Sequence, residues 1–395
     1  MPVGEWSRRR IALLVGAVVL AGLLLPVVAR VSAEHWHADT LWPNALRSLG
    51  GLGVPYDFRV FLAAAEAVRH GESPYVDADT IRTAVPAPYV YPPLLAVLVL
   101  PFTVLPHEVA GSSTPGMVFS LLLIACLVTA LLALDVRDWR CYPVALLYPP
   151  FLENVELGAI GPILVLLVAL GWRYRERAVA AGIAAGGAIV LKVFLWPLVL
   201  WLLATRRWLA AGVAALTAGG LAVVSWAAIG FAGLSDYPAL VRKLSDLEAK
   251  SSYSAFADLR WLGLSESASQ LVTAVAAVGL LGLGWRVARR DPVDGDRRAL
   301  ILALATALVA TPILWLHYLV LLVVPVALAR PRLSGLWFVP LALTVFEALG
   351  WYRGWADGEG RSLVSVAVVS AVVFVVALRP IGAGVEEPRV APVGA

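Results

Sequence analysis

Charge is scarce in this chain. Of its 395 residues only 15% are Asp, Glu, Lys or Arg, while 60% are hydrophobic, and the mean hydropathy is +0.83. Soluble domains carry about 25% charged and roughly 45–50% apolar residues, so the balance excludes a soluble enzyme, a nucleic-acid binder and a disordered scaffold. Cysteine is nearly absent: Cys126 and Cys141 make neither a disulfide framework nor a zinc site. Histidine is also rare, five in all, and the His35/His37 pair has no further ligands beside it, so no metal site is expected. No repeat of 20–50 residues, coiled-coil heptad or low-complexity tract is present.

Long apolar runs are what the chain does have. A helix needs about 20 apolar residues to cross a hydrocarbon layer of about 30 Å. Ile11–Ala29, Val109–Leu134, Trp208–Ser235 and Ser267–Trp285 meet this, Ser362–Leu378 is slightly short, and Leu333–Tyr352 qualifies with Glu347 near a membrane surface. Arg8, Arg9 and Arg10 hold the amino terminus in the cytoplasm. The first run is longer than a signal-peptide core of about 7–15 residues, so it is expected to stay uncleaved despite a passable cleavage site at Val31-Ser32-Ala33.

Three stretches are too long for one crossing and carry arginines at both ends: Cys141–Trp172, Ala178–Thr205 and Ala299–Ala329. If both ends are cytoplasmic, each goes out and returns as two short helices. A helix of about 14 residues covers only about 20 Å, so the tips must meet in a cavity lined by protein, because irregular backbone cannot face lipid. The sum is an all-α polytopic membrane protein of about twelve crossings, one transmembrane unit over residues 1–395, with both termini cytoplasmic. A first outer loop spans about 30–108 and a second about 236–266. Within the first, Phe58, Phe61, Leu62, Ala65 and Val68 fall on helical spacing and predict an interfacial helix. The five prolines of residues 87–106 predict a half-inserted or interfacial helix beginning at Tyr91-Pro92-Pro93 on the outer side.

Ionisable residues at membrane depth are costly and point to function. Lys192 lies mid-stretch at the second tip, too far from either end to snorkel as terminal lysines do. Asn154 and Glu156 lie at the first tip, where they fit a substrate role or a cap for the helix starting near Gly158 equally well. His317 lies at the third tip beside Trp315, and packing as a core histidine is as good a reading as function. Asp57 opens the interfacial helix, where the helix dipole alone would favour an acid.

DFRVFLAAAEAVRHGESPY followed by YPPLLAVLVLPFTVLP resembles the first outer segment of glycosyltransferase family 87. AGIAAGGAIVLKVFLWPLVLWLLATRRW and TPILWLHYLV are similar to two further segments of that family. The chain departs from it at Gly158-Ala159-Ile160-Gly161-Pro162, where an amide pair is missing, and in having one histidine where two often occur. The resemblance implies a C-type glycosyltransferase fold and sugar transfer from a polyprenyl-phosphate donor, most simply mannose, to a (glyco)lipid or polysaccharide hydroxyl. The reaction is inverting, faces the outside of the plasma membrane and uses no cofactor. It implies Asp57 as general base. Lys192, with Arg59 as a second candidate, offsets phosphate charge. His317 bonds phosphate or sugar, and Tyr91, Trp315 and Tyr318 are substrate contacts. The runner-up readings are an arabinofuranosyltransferase with a polyprenyl-phosphate donor and a flippase of lipid-linked sugars without chemistry.

Overall fold

The computed structural model describes residues 54–77, 88–106, 108–109, 112–248, 252–343 and 359–379. The first apolar run, His35, His37 and Glu347 lie outside them. Among the described residues the regular elements are helices, apart from one short antiparallel ladder, Glu108–Val109 with Ser112–Ser113.

Helix α1 (Tyr56–Arg69) buries Phe58, Phe61, Ala64 and Ala65 on one face, close to the expected periodic set. Pro92 and Pro93 start α2 (Pro93–Val99), which tightens into a 3-10 turn at Leu100–Val104. Proline at a helix start is tolerated because that N–H has no intrahelical partner. The long helix α3 (Thr114–Ala133) begins five residues later than the apolar run, because Ser113 caps it by accepting from Gly116 N–H. Helices α4 (Cys141–Leu146) and α5 (Pro149–Leu157) are two pieces of one limb, broken where Pro149 and Pro150 follow Tyr148. Gly158, with φ +70°, terminates α5. The return limb is α6 (Gly161–Arg173).

Helix α7 (Ala178–Leu191) stops at Lys192, whose backbone is extended (φ −146°, ψ 101°); a 3-10 turn and α8 (Pro197–Ala204) follow. Next come α9 (Trp208–Ala228), then α10 (Tyr237–Glu248) and α11 (Ala255–Trp261), which lie in the sequence expected to form the second outer loop, then α12 (Glu266–Arg290). The third broken pair is α13 (Gly295–Ala310), an irregular stretch 311–315, the 3-10 segment Leu316–Leu322 and α14 (Val323–Ala329). Short α15 (Gly335–Phe338) and α16 (Glu359–Ala377) complete the described chain. Among the described residues, α3, α9 and α12 are long and apolar enough to cross a membrane, and exposed Leu216, Val223, Val275 and Val278 on the last two suit a lipid-facing surface.

The ends of the three broken pairs are tied to one another, and the two ends of the second pair meet directly. Glu176, just before α7, pairs at 2.6 Å with Arg207, just after α8. Asp296 at the start of α13 accepts from Arg207 at 2.8 Å and from Trp201 Nε1 at 2.9 Å, and pairs with Arg175 at 3.0 Å. Arg137 N–H donates to Pro331 O and Leu333 N–H to Asp138, joining the start of the first pair to the end of the third. Arg297 donates to the carbonyls of Ala377 and Arg379 at the end of α16. Carboxylates and helix-end carbonyls thus pin the arginine clusters at the pole away from the helix breaks.

Packing within lipid has little hydrophobic drive and relies on close backbone approach. Helix α7 meets α9 through Gly182 and Gly186, one turn apart. A Cβ on the first would lie 2.6 Å from Val213 Cβ, and one on the second 2.5 Å from Ala214 O. That seam fixes the helix ending at Lys192.

Candidate active site

The opposite pole gathers the helix breaks around a cavity of about 760 Å³, within the range of small-molecule sites. Asp57 enters it from the first turn of α1, Tyr91 from the segment before α2, and Lys192 from the break after α7. Trp315, His317 and Tyr318 enter from the third tip. Helix α10 forms another wall through Tyr237, Val241, Leu244, Ser245 and Glu248.

Asp57 is held in place from below. Gly158 carries no side chain, so the first tip approaches α1 closely: a Cβ there would lie 2.6 Å from Phe58 Cβ and 2.8 Å from Pro55 Cβ. Phe58 in turn stacks on Phe119 of α3, with ring centroids 4.2 Å apart. The Asp57 side chain is partly open to the cavity, yet enclosed enough that burial pushes its carboxyl up, to about 6. The Lys192 ammonium pulls the other way.

Lys192 Nζ donates to the Tyr318 hydroxyl and lies 4.9 Å from the centre of the Tyr91 ring. Phe194 stacks on Tyr318 at 5.3 Å. The cation is therefore boxed by aromatic faces, which attract it without neutralising it. Tyr91 is itself fixed through its own carbonyl and those of its two neighbours. Tyr75 Oη donates to Tyr91 O at 2.9 Å, Tyr237 Oη to Val90 O at 3.0 Å and Tyr89 Oη to Pro92 O at 2.7 Å. Tyr75 also stacks on Trp226 at 5.1 Å. Tyrosine hydroxyls thus take the place of a sheet partner for this extended segment.

Six of the nine residues singled out from the sequence meet at this cavity: Asp57, Tyr91, Lys192, Trp315, His317 and Tyr318. Three do not line it. Arg59 is two residues from Asp57, which is about 200° around a helix, and lies over the Tyr56 ring at 5.6 Å beside a separate outer groove. Asn154 is fully buried and bonded on both sides of its amide. Nδ2 donates to Pro150 O and His317 O, both at 2.7 Å, and Oδ1 accepts from Gly161 N–H at 2.9 Å. The Oδ1 bond satisfies the first N–H of α6, as a capping side chain does. Glu156 is not among the cavity residues; Glu153 and Leu157, one turn apart on α5, are.

Glu153 and the α10 wall are the cavity's parts that the sequence motifs do not mark. The wall had a signal, since Tyr237, Leu240, Val241 and Leu244 recur at helical spacing. Glu153 had none, because nothing local distinguishes it from Glu156. Among the described residues no cluster of three metal-ligating side chains occurs.

The arrangement offers one carboxylate beside one fixed cation, with aromatic rings and a histidine around them. That set can take a proton from a hydroxyl while balancing charge on a phosphate. The profile of glycosyltransferase family 87 matches residues 89–316, a span that holds Tyr91, Lys192 and Trp315 and leaves Asp57 and His317 outside. The polyprenol-phosphate-mannose-dependent alpha-(1-2)-phosphatidylinositol mannoside mannosyltransferase of Mycolicibacterium smegmatis is 28% identical over 375 residues, covering 83% of each chain. With its family profile matched over more than half its length, the chain belongs to glycosyltransferase family 87 and is a membrane glycosyltransferase.

Proposed function

We propose that this glycosyltransferase moves mannose from a polyprenyl-phosphate donor to a hydroxyl of a glycolipid or polysaccharide, on the outer face of the plasma membrane. Asp57 is the general base. Its carboxylate takes the acceptor hydroxyl proton as that oxygen bonds to C1 of the donor sugar. The bond from C1 to the phosphate oxygen breaks, and polyprenyl phosphate leaves with the electron pair. The leaving group is already stable, so no strong general acid is needed, unlike the paired carboxylates of glycoside hydrolysis. One displacement inverts C1, and a β-linked donor gives an α-mannoside.

Lys192 holds the phosphate. A preorganised cation in a water-poor site stabilises developing negative charge without reorganisation. His317 bonds the phosphate or the sugar, and Tyr91, Trp315 and Tyr318 supply faces for sugar rings. The observation that carries this reading is the placement of Asp57 and Lys192 on one cavity, near enough for each charge to act on the other. The mycobacterial relative's named donor and its phosphatidylinositol mannoside acceptor support the choice of mannose and of a lipid-linked acceptor. The clustering of arginines at the opposite pole supports a cytoplasmic side there, about twelve crossings, and a cavity that opens outward.

Purified protein in lipid nanodiscs, given radiolabelled polyprenyl-phosphate mannose and a mannosylated lipid acceptor, tests it. Labelled acceptor is the expected product. Transfer from polyprenyl-phosphate arabinose alone would replace the sugar, and transfer from neither donor would overturn the reading.

A further inference from the structure

Two consecutive residues of α5 hold the third tip at the same residue. Asn154 Nδ2 donates to the main-chain carbonyl of His317 at 2.7 Å, and the Glu153 carboxylate lies 3.7 Å from His317 Nδ1. Both side chains of that second pair are mostly enclosed, His317 at 7% and Glu153 at 21% exposure, and both line the cavity. The Asn154 amide is anchored again by Gly161 N–H, where a Cβ would lie 2.4 Å from Oδ1. The tip is gripped from its other flank by the second outer segment: Tyr253 N–H donates to Leu314 O at 2.7 Å and Ser252 Oγ to Pro312 O at 3.3 Å.

We propose that Glu153 is a positioning residue for His317, holding a proton on Nδ1 so that Nε2 is the nitrogen offered to substrate. Which ring nitrogen carries the proton is set by the hydrogen bond the other makes. With the main chain of His317 clamped by Asn154, a small rotation of the imidazole or the carboxylate closes an Nδ1–H···O bond. The neutral ring then presents a lone pair at Nε2 and accepts from a sugar hydroxyl, in preference to donating to the phosphate held by Lys192. This deepens the mannosyltransferase reading and rests on it for the identity of the substrate, though the Glu153–His317 link itself does not.

The test uses full-length protein labelled with 15N-histidine in nanodiscs, where His317→Gln identifies the His317 signals among five histidines. The expected spectrum has a protonated Nδ1 and a bare Nε2 at His317. Glu153→Gln, which keeps an acceptor oxygen, preserves that pattern, and Glu153→Ala lets the proton redistribute to Nε2. An unchanged pattern in Glu153→Ala overturns the proposal. In parallel, Glu153→Ala lowers kcat roughly tenfold to a hundredfold, the usual cost of losing an orienting partner, with little change in acceptor KM. Within a His317→Gln background it has no further effect. Multiplicative losses in that background would instead place Glu153 in direct contact with the sugar and also overturn the proposal. If the wild-type protein transfers no sugar, the mannosyltransferase reading falls while the spectra still decide this one.

Discussion

Gly158 packs so closely on Phe58 that an added Cβ would lie 2.6 Å from the phenylalanine Cβ. The tip of the first broken pair is thereby the floor under Asp57, one residue earlier on α1. Gly158 also sits at φ +70°, a conformation costly for any residue with a side chain.

Gly158→Ala therefore strains the backbone, at about 1–3 kcal/mol, and pushes α1 away from the tip. The expected outcome is a lowered thermal midpoint together with a fall in kcat larger than the loss of folded protein. Gly71→Ala is a control, since it shares a positive φ but has open space around it, and it should leave kcat close to wild type.

As the proposed base, the Asp57 carboxyl is expected to set the acid limb of the pH profile. Burial raises it to about 6 and the Lys192 ammonium opposes that rise. The base acts when deprotonated, so kcat/KM is full above the inflection and lost as pH falls through about 6. In Lys192→Met the opposing charge is gone, and the inflection of the remaining activity moves to higher pH. An inflection that stays put or moves down would separate the two groups. A rate–pH series on both proteins reads this directly.

Lys192→Met also removes the cation assigned to the donor phosphate. Hydrogen bonds to charged groups contribute about 1.5–3 kcal/mol, so kcat/KM for the donor should drop roughly tenfold to a hundredfold, with a raised donor KM. Tyr318→Phe loses the hydroxyl that accepts from Nζ but keeps the ring stacked on Phe194. Its loss should be smaller and fall on the same parameter. Equal acceptor KM in all three proteins checks that the effect belongs to the donor.

At the far pole, Asp296 is the shared acceptor for Arg207 and Trp201 and the ion-pair partner of Arg175. Asp296→Ala leaves a partly enclosed guanidinium facing others without its carboxylate, which costs roughly 1–3 kcal/mol. The thermal midpoint should fall while donor KM in the remaining folded fraction is unchanged, because the clamp lies at the opposite pole from the cavity.

The features legible in the sequence were those with a local physical cause. A lysine in the middle of an apolar stretch, a Pro-Pro pair and Phe58/Phe61 periodicity each marked a break or an element where one stands. Arginines at both ends of the three long stretches implied return limbs, and the Glu176–Arg207 contact joins two such ends. What stayed hidden depends on how elements face one another. Glu153, Asn154 and Glu156 fall on one nine-residue helix, and only its packing against the third tip decides which carboxylate reaches the cavity. Arg59 is near Asp57 in sequence only, because a two-residue step turns the side chain to the opposite side of a helix. The fold of α10 over the cavity required a tertiary contact, Tyr237 Oη on Val90 O, between residues 147 apart.

The central claim is that Asp57 takes the acceptor proton. Radiolabelled mannose transfer by wild-type and Asp57→Asn protein, prepared and folded alike and saturated with polyprenyl-phosphate mannose, tests it most directly. General-base help contributes roughly 10²–10⁴-fold, so the variant should retain donor binding and thermal midpoint while its turnover falls by at least about a hundredfold. Turnover within a few-fold of wild type would contradict the account.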